Sequence, residues 1–271
     1  MEDGAPSEDV SRESGGSAGG LVTVVLDMNE ALWAQVSAKG GEDNVTLASA
    51  LSSVVVFLNA VQLMDRESEV CVVAECPDGT ARVLARGVSD VGPAVEAAMD
   101  LVAKAAAVPK ADQRSGLSTA LSVALASTNR AMVDHKTRFG VDPLARVLVI
   151  QVTPDDPSQY IASMNSAFAA QKLGVLVDVV DLSPEPSKIL QQVAHLSKGI
   201  VQRFETITTP ALIEHLLTVY LPDAETRKLL KLPPQAAIVL QAACFCCGKL
   251  RDRGWVCSVC QDQAQFAYCV L

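Results

Sequence analysis

Aromatic rings are scarce in this chain, and basic side chains are outnumbered. Phe, Trp and Tyr make up 4% of its 271 residues while apolar residues make up 49%, so the core has to be aliphatic, built from Val, Leu and Ala. That composition suits buried parallel strands flanked by helices. Lys and Arg number 22 against 31 Asp and Glu, and the net charge of −9 argues against a broad nucleic-acid surface over the main body. No uninterrupted apolar run reaches about eighteen residues, the length a membrane span needs. No N-terminal stretch joins a basic start to an apolar centre, as a secretory signal would. A soluble, intracellular protein is the expectation, with no membrane partner.

Catalytic signatures are missing as well. There is no Gly-x-Ser-x-Gly elbow, no Gly-x-Gly-x-x-Gly after a strand and no phosphate loop ending in Gly-Lys-Ser/Thr. The glycines of 15–20 precede the first strand, whereas a phosphate-cradling loop follows one. His135, His195 and His215 have no nucleophile at a recognisable spacing, so each reads as a structural or surface residue rather than a general base. An enzyme is not expected.

What the chain does have is concentrated at its end. Six of its eight cysteines, Cys244, Cys246, Cys247, Cys257, Cys260 and Cys269, fall in the last twenty-eight residues. A disulfide-stapled secreted protein would spread its cysteines through its loops, so this distribution points to a reducing compartment and a metal. Two thiolates on one tight turn face one metal, and a second such turn closes the tetrahedron of a zinc site. Lys249, Arg251 and Arg253 between the pairs read as a solvated loop. Cys71 and Cys76, far upstream, have no activating base nearby in sequence and read as small buried residues.

Strands and helices alternate along the rest. Residues 1–20, acidic and then glycine-rich, are expected to be a disordered leader. Leu21–Leu26 reads as a central parallel strand ending at Asp27. A loop through Gly40 and Gly41 is expected to lead to Asn44 as N-cap of a helix over Val45–Met64. Glu69–Glu75 and Ala81–Arg86, separated by Pro77-Asp78-Gly79-Thr80, predict a hairpin. Helices follow over Val91–Ala107 and Ser118–Met132, a strand over Arg146–Thr153, a helix over Pro157–Lys172 and a strand over Val175–Leu182. The pattern closes with a helix over Ser187–Ser197, a short strand over Ile200–Phe204 and a helix over Pro210–Leu221 capped by Thr208 or Thr209. This order predicts a doubly wound, mostly parallel α/β sheet over 21–221 with helices on both faces. The prolines of 222–236 predict an extended linker. Residues 237–271 form the cysteine-rich appendage, with a short strand expected over Ala236–Gln241.

Ligands of open parallel sheets bind at the carboxyl ends of the strands. Asp27 there resembles the first position of the metal site of von Willebrand factor A domains, Asp-x-Ser-x-Ser. Asn29 replaces one serine and Ala31, with no side-chain oxygen, replaces the other. The remaining candidate ligands are Ser115 or Ser118 and Asp155 or Asp156. Magnesium wants near-octahedral oxygen coordination, so Asp27 and Asn29 mark a degenerate, metal-free position.

Further residues point to a family. They are the Asp27-x-Asn29 strand end, Gln159-Tyr160, Met164-Asn165, Phe168-Ala169-Ala170-Gln171-Lys172, Leu221-Pro222-Asp223 and Leu232-Pro233-Pro234. The tail adds Cys244-Phe245-Cys246 and Gly254-Trp255-Val256-Cys257-Ser258-Val259-Cys260. From about Leu21 to Cys260 the chain resembles the smaller von Willebrand-type subunits of the general transcription and DNA-repair factor TFIIH. The resemblance implies a von Willebrand factor A-like fold and a nuclear, non-catalytic scaffold of the TFIIH core. It implies roles in transcription initiation and nucleotide excision repair. The implied partners are the larger von Willebrand-type subunit, through its C-terminal RING-like zinc domain, and other core subunits including the helicases.

The family's finger joins the Cys-Ser-Val-Cys pair to another Cys-x-x-Cys pair, whereas here the sequence ends Cys269-Val270-Leu271. Two zinc-ligand sets are therefore open. Cys244, Cys247, Cys257 and Cys260, spaced two, nine and two residues apart, are self-sufficient and preferred. Cys257, Cys260 and Cys269 need Cys244 or Cys246 to complete them. A structural zinc adds about 10–16 kcal/mol of apparent binding free energy, which a knuckle too small for its own core requires.

Overall fold

Six stretches of the chain pair into one sheet, and the four central ones carry its densest aliphatic runs. The structure, a computed structural model, describes residues 19–41, 43–87, 100, 114–235, 242–243 and 250–251. The strands are β1 (Gly20–Asp27), β2 (Glu69–Glu75), β3 (Ala81–Arg86), β4 (Leu144–Gln151), β5 (Leu176–Asp181) and β6 (Val201–Arg203), in the spatial order β3-β2-β1-β4-β5-β6. Every neighbouring pair is parallel except the β2–β3 hairpin at one edge. The sheet is thus mixed, doubly wound and mostly parallel, as the alternation predicts.

Period-two alternation divides the strand side chains between two cores. Val22, Val24 and Leu26 of β1, with Leu148 and Ile150 of β4, join α1 (Glu30–Gly40) and α2 (Leu47–Met64) on one face. Leu21 and Val25, with Val147, Val149, Val177 and Val179, join α3 (Leu117–Phe139), α4 (Tyr160–Leu173) and α5 (Lys188–Ser197) on the other. By length and composition α2 could cross a membrane. Its Leu47, Leu51, Val54, Phe57, Leu58 and Val61 instead lie in the first core.

Several elements differ from their sequence readings. Residues 30–40, expected to be loop, form α1, because Asn29 accepts a hydrogen bond from Leu32 N and Trp33 is buried beneath the helix. Asn44 caps no helix. Its amide donates to Val36 O and Ser37 O and its oxygen accepts from Ile207 N, tying α1 to a distant loop. Thr46 caps α2 in a reciprocal bond pair with Ser49, the capping-box arrangement.

The segment after β6 begins with α6 (Thr209–His215), capped by Thr208, and continues as a π-helix over Leu216–Tyr220. The stretch expected to be an extended linker instead opens with a helical turn, α7 (Ala224–Arg227), capped by Asp223. Arg146 donates to the carbonyls of Tyr220, Leu221 and Pro222, and Leu232 packs against the first core. The helix expected over Val91–Ala107 and the strand over Ala236–Gln241 lie outside the described residues, Asp100 excepted. Beyond them β7 (Ala242–Ala243) and β8 (Leu250–Arg251) form an antiparallel pair, and β7 lies against α4.

Candidate functional site

The carboxyl ends of β1, β2 and β4 bring Asp27, Glu75 and Gln151 together, all at most 2% exposed. Each ends a strand that is central to the sheet, so the strand register alone aligns the three. Asp27 Oδ1 accepts from Asn29 N at 3.0 Å. Its Oδ2 accepts from Thr153 N at 2.7 Å, Val152 N at 3.1 Å and Gln151 Nε2 at 3.2 Å. Trp33 Nε1 donates to the Asp27 carbonyl. The carboxylate therefore ties the β1–α1 loop to the loop after β4.

Glu75 holds a third loop. Its Oε1 accepts from Gly116 N at 2.9 Å, Ser115 Oγ at 3.2 Å and Gln151 Nε2 at 3.4 Å. The space around Gly116 is tight. A Cβ at that position would stand 3.1 Å from Thr80 O and 3.2 Å from both Cys76 O and Glu75 Cγ, closer than side chains ordinarily pack. Burial raises the Asp27 carboxyl, opposed first by the Thr153 side chain and then by the backbone N–H groups of Asn29, Thr153 and Val152. Burial, and then the facing charge of Asp27, pushes Glu75 up to about 8. Glu75 Oε2 and Gln151 Oε1 are buried without a hydrogen-bond partner.

Of the expected oxygen ligands, only Ser115 reaches this cluster, and it does so through Glu75. Ser118 Oγ donates to Gln159 Oε1 instead. Asp155 accepts from Ser187 Oγ, Lys188 N and Ile189 N, capping α5, and Asp156 caps the single turn Pro157–Gln159. Helix N-termini attract carboxylates, and both aspartates are held there rather than beside Asp27. Asn29 is placed beside Asp27, but its side-chain oxygen is engaged at the start of α1. Glu75 is absent from the sequence reading. The one available signal was an acidic residue at the end of an apolar strand next to the Asp27 strand.

Above the cluster lies an open cavity of about 270 Å³ lined by Asn29, Gln35, Arg114, Ser115 and Thr153 among others. The histidines lie elsewhere. His135 is buried against Phe139, His195 is exposed on α5, and His215 Nδ1 meets Ala211 O at 2.8 Å. Cys76 is buried and Cys71 half-buried. No group of three or more metal-ligating side chains occurs among the described residues.

The zinc candidates Cys244, Cys246, Cys247, Cys257, Cys260 and Cys269 all lie outside the described residues. The first three fall in sequence between β7 and β8, in which Ala243 pairs with Leu250.

A second polar cluster sits on the first-core face of β4 and β5. Asp178, 1% exposed, receives Arg227 Nη1 at 2.9 Å, Arg227 Nη2 at 2.6 Å and Ile200 N at 2.9 Å. Burial pulls Arg146 down to about 10, opposed by Asp178, so it keeps its charge at neutral pH. These groups are structural in placement, because their bonds run to Ile200 before β6 and to the segment 220–227.

Comparison with known proteins gives one consistent answer. The family described as transcription factor Tfb4 matches residues 19–86 and 85–262. The chain is 31% identical over 258 residues to the general transcription and DNA repair factor IIH subunit tfb4 of Schizosaccharomyces pombe, covering 89% of this chain and 82% of that one. It is similar in fold to the crystal structure of the TFIIH p34 N-terminal domain, with a TM-score of 0.63 and 22% identity over 73% of this chain and 96% of that one. A von Willebrand factor type A protein from Catenulispora acidiphila gives a TM-score of 0.52 at 15% identity, over 73% of this chain and 41% of that one.

Proposed function

Since the chain belongs to the transcription factor Tfb4 family, we propose that it is a non-catalytic scaffold subunit of the TFIIH core, acting in transcription initiation and nucleotide excision repair in the nucleus. The observation that carries this reading is the extent of the likeness, which spans residues 19–262 in the family match and 89% of the chain in relatives named as factor IIH subunits. The site chemistry supports it. Asp27, Glu75 and Gln151 are directed at backbone N–H groups, at the Ser115 hydroxyl and at one another, an arrangement that fixes loops. Both Asp27 oxygens already accept N–H bonds, which weighs against the other reading of a magnesium-dependent ligand-binding module.

The partner is the larger von Willebrand-type subunit, engaged through its C-terminal RING-like zinc domain, with the helicases among the other core neighbours. Such a contact needs shape and apolar area rather than an ion at Asp27. Zinc is held by Cys244, Cys247, Cys257 and Cys260, where it closes the appendage as a structural ion.

Co-expression of the full chain with the TFIIH core subunits tests the proposal. Stoichiometric co-elution with the larger von Willebrand-type subunit is expected, and a truncated form of that subunit lacking its RING-like domain should release the chain. A folded chain that elutes alone in the presence of every core subunit would overturn it.

A further inference from the structure

Two buried carboxyl groups face each other across one amide at the strand ends, and their bonds are unequal. Asp27 receives four N–H donors over its two oxygens. Glu75 receives three donors on Oε1 and none on Oε2. The amide between them is equally one-sided, with Gln151 Nε2 donating to both acids while Gln151 Oε1 has no partner. Two orphaned acceptors in one buried cluster cannot satisfy each other, and burying each unpaired costs free energy. One added proton removes the mismatch.

We propose that the strand ends hold a single bound proton on Glu75, whose Oε2–H donates to Gln151 Oε1 while Asp27 keeps the negative charge. Acid and amide then form two bonds, Gln151 Nε2–H to Glu75 Oε1 and Glu75 Oε2–H to Gln151 Oε1. Donor distribution assigns the charge, since the group with four N–H donors is the better anion. The groups around Glu75 agree. Asp27 on β1 is the facing charge, and it raises Glu75. Gln151 on β4 and Ser115 with Gly116 before α3 are neutral. Cys76, the next residue along, is raised by burial first and stays a thiol, while Asp78 and Arg82 of the hairpin act on it more weakly.

The proton makes this end of the sheet sensitive to pH. Glu75 binds its proton more tightly in the folded chain, with its value moved from 4.5 up to about 8. Between those values the folded state holds more protons than the unfolded one, so stability falls as pH rises. The strain falls on Ser115 and Gly116, the loop that Glu75 anchors at the rim of the cavity holding Asn29, Arg114 and Thr153.

The test is unfolding of the full chain between pH 5 and 9, comparing wild type with Glu75→Gln. The glutamine keeps the acceptor toward Ser115 and Gly116 and supplies a permanent donor toward Gln151 Oε1. The wild-type midpoint should fall relative to the variant as pH rises, with the gap widening up to about pH 8 and staying level above it. Parallel curves across the whole range would overturn the proposal. Infrared spectroscopy on wild type alone gives a second reading should the variant fail to fold. A protonated carboxylic-acid band present at pH 7 and lost on raising the pH is expected, and its absence at pH 7 would equally refute it.

Discussion

Arg227 and Asp178 show how much one residue can decide in this chain. The pair is bidentate, with its side chains 7% and 1% exposed. Arg227 also donates through Nε to Pro222 O. Exposed pairs such as Lys136 with Asp142 contribute little, because water already solvates both partners. The buried pair is different, since removing the guanidinium leaves Asp178 charged in the core with Ile200 N as its remaining described donor. Arg227→Met should therefore destabilise the chain by about 3–5 kcal/mol, measured by urea unfolding at neutral pH. Combining it with Asp178→Ala should cost clearly less than the two single changes added together, because the double variant leaves neither member of the pair facing the other's vacancy. Additive losses would show that the pair contributes through packing alone. Neither residue stood out in the sequence, since an aspartate inside Leu176–Asp181 and an arginine between Pro222 and Pro233 look like strand and linker residues until the chain folds back.

Among the elements, those defined by local chemistry were readable and those defined by remote contacts were not. β1, β4 and β5 follow from their dense runs of Val, Leu and Ile, and α5 from its Ser187 cap and strongly one-sided apolar face. α1 escaped notice because only Trp33 and Val36 of its eleven residues are buried, too few to mark a face. Asp27 was visible as a strand-end carboxylate, whereas Glu75 acquires its meaning from the Ser115–Gly116 loop forty residues on, a pairing no local pattern contains. The segment Leu216–Arg227 is the clearest case. Leu216, Val219 and Tyr220 complete the first core, Tyr220 Oη donates to Val179 O, and Arg146 and Asp178 take their partners from it. A chain ending after His215 loses all of these and leaves two buried charges unpaired, so it should show no cooperative melt by circular dichroism. A chain ending after Gln235 keeps them and should melt cooperatively. If the shorter form melted as well as the longer, the crossing segment would be an ornament of the domain rather than part of its core.

At the scale of the whole molecule the question is how a well-packed domain carries a tail with little core of its own. The tie runs in steps. Arg146 and Arg227 hold residues 220–227, Gln235 Oε1 accepts from Val201 N on the edge strand β6, and the β7–β8 pair then lies with β7 against α4. Each step limits where the cysteine-rich appendage can stand, which is what a scaffold needs if it presents two surfaces to partners in a fixed relation. Under the proposed reading, a structural zinc supplies the folding free energy of an appendage of that size. The preferred ligands Cys244, Cys247, Cys257 and Cys260 are complete without Cys269. Zinc measured on the full chain and on a form ending at Tyr268 should then be equal, at one ion per chain, and Cys257→Ser should lose it in both. Were Cys269 a ligand, the shortened form would bind weakly or not at all, and its tail would become sensitive to chelator and protease while the sheet domain melted unchanged. That separation follows from the structure, because among the described residues the hydrogen bonds of the sheet domain run no further along the chain than Gln235.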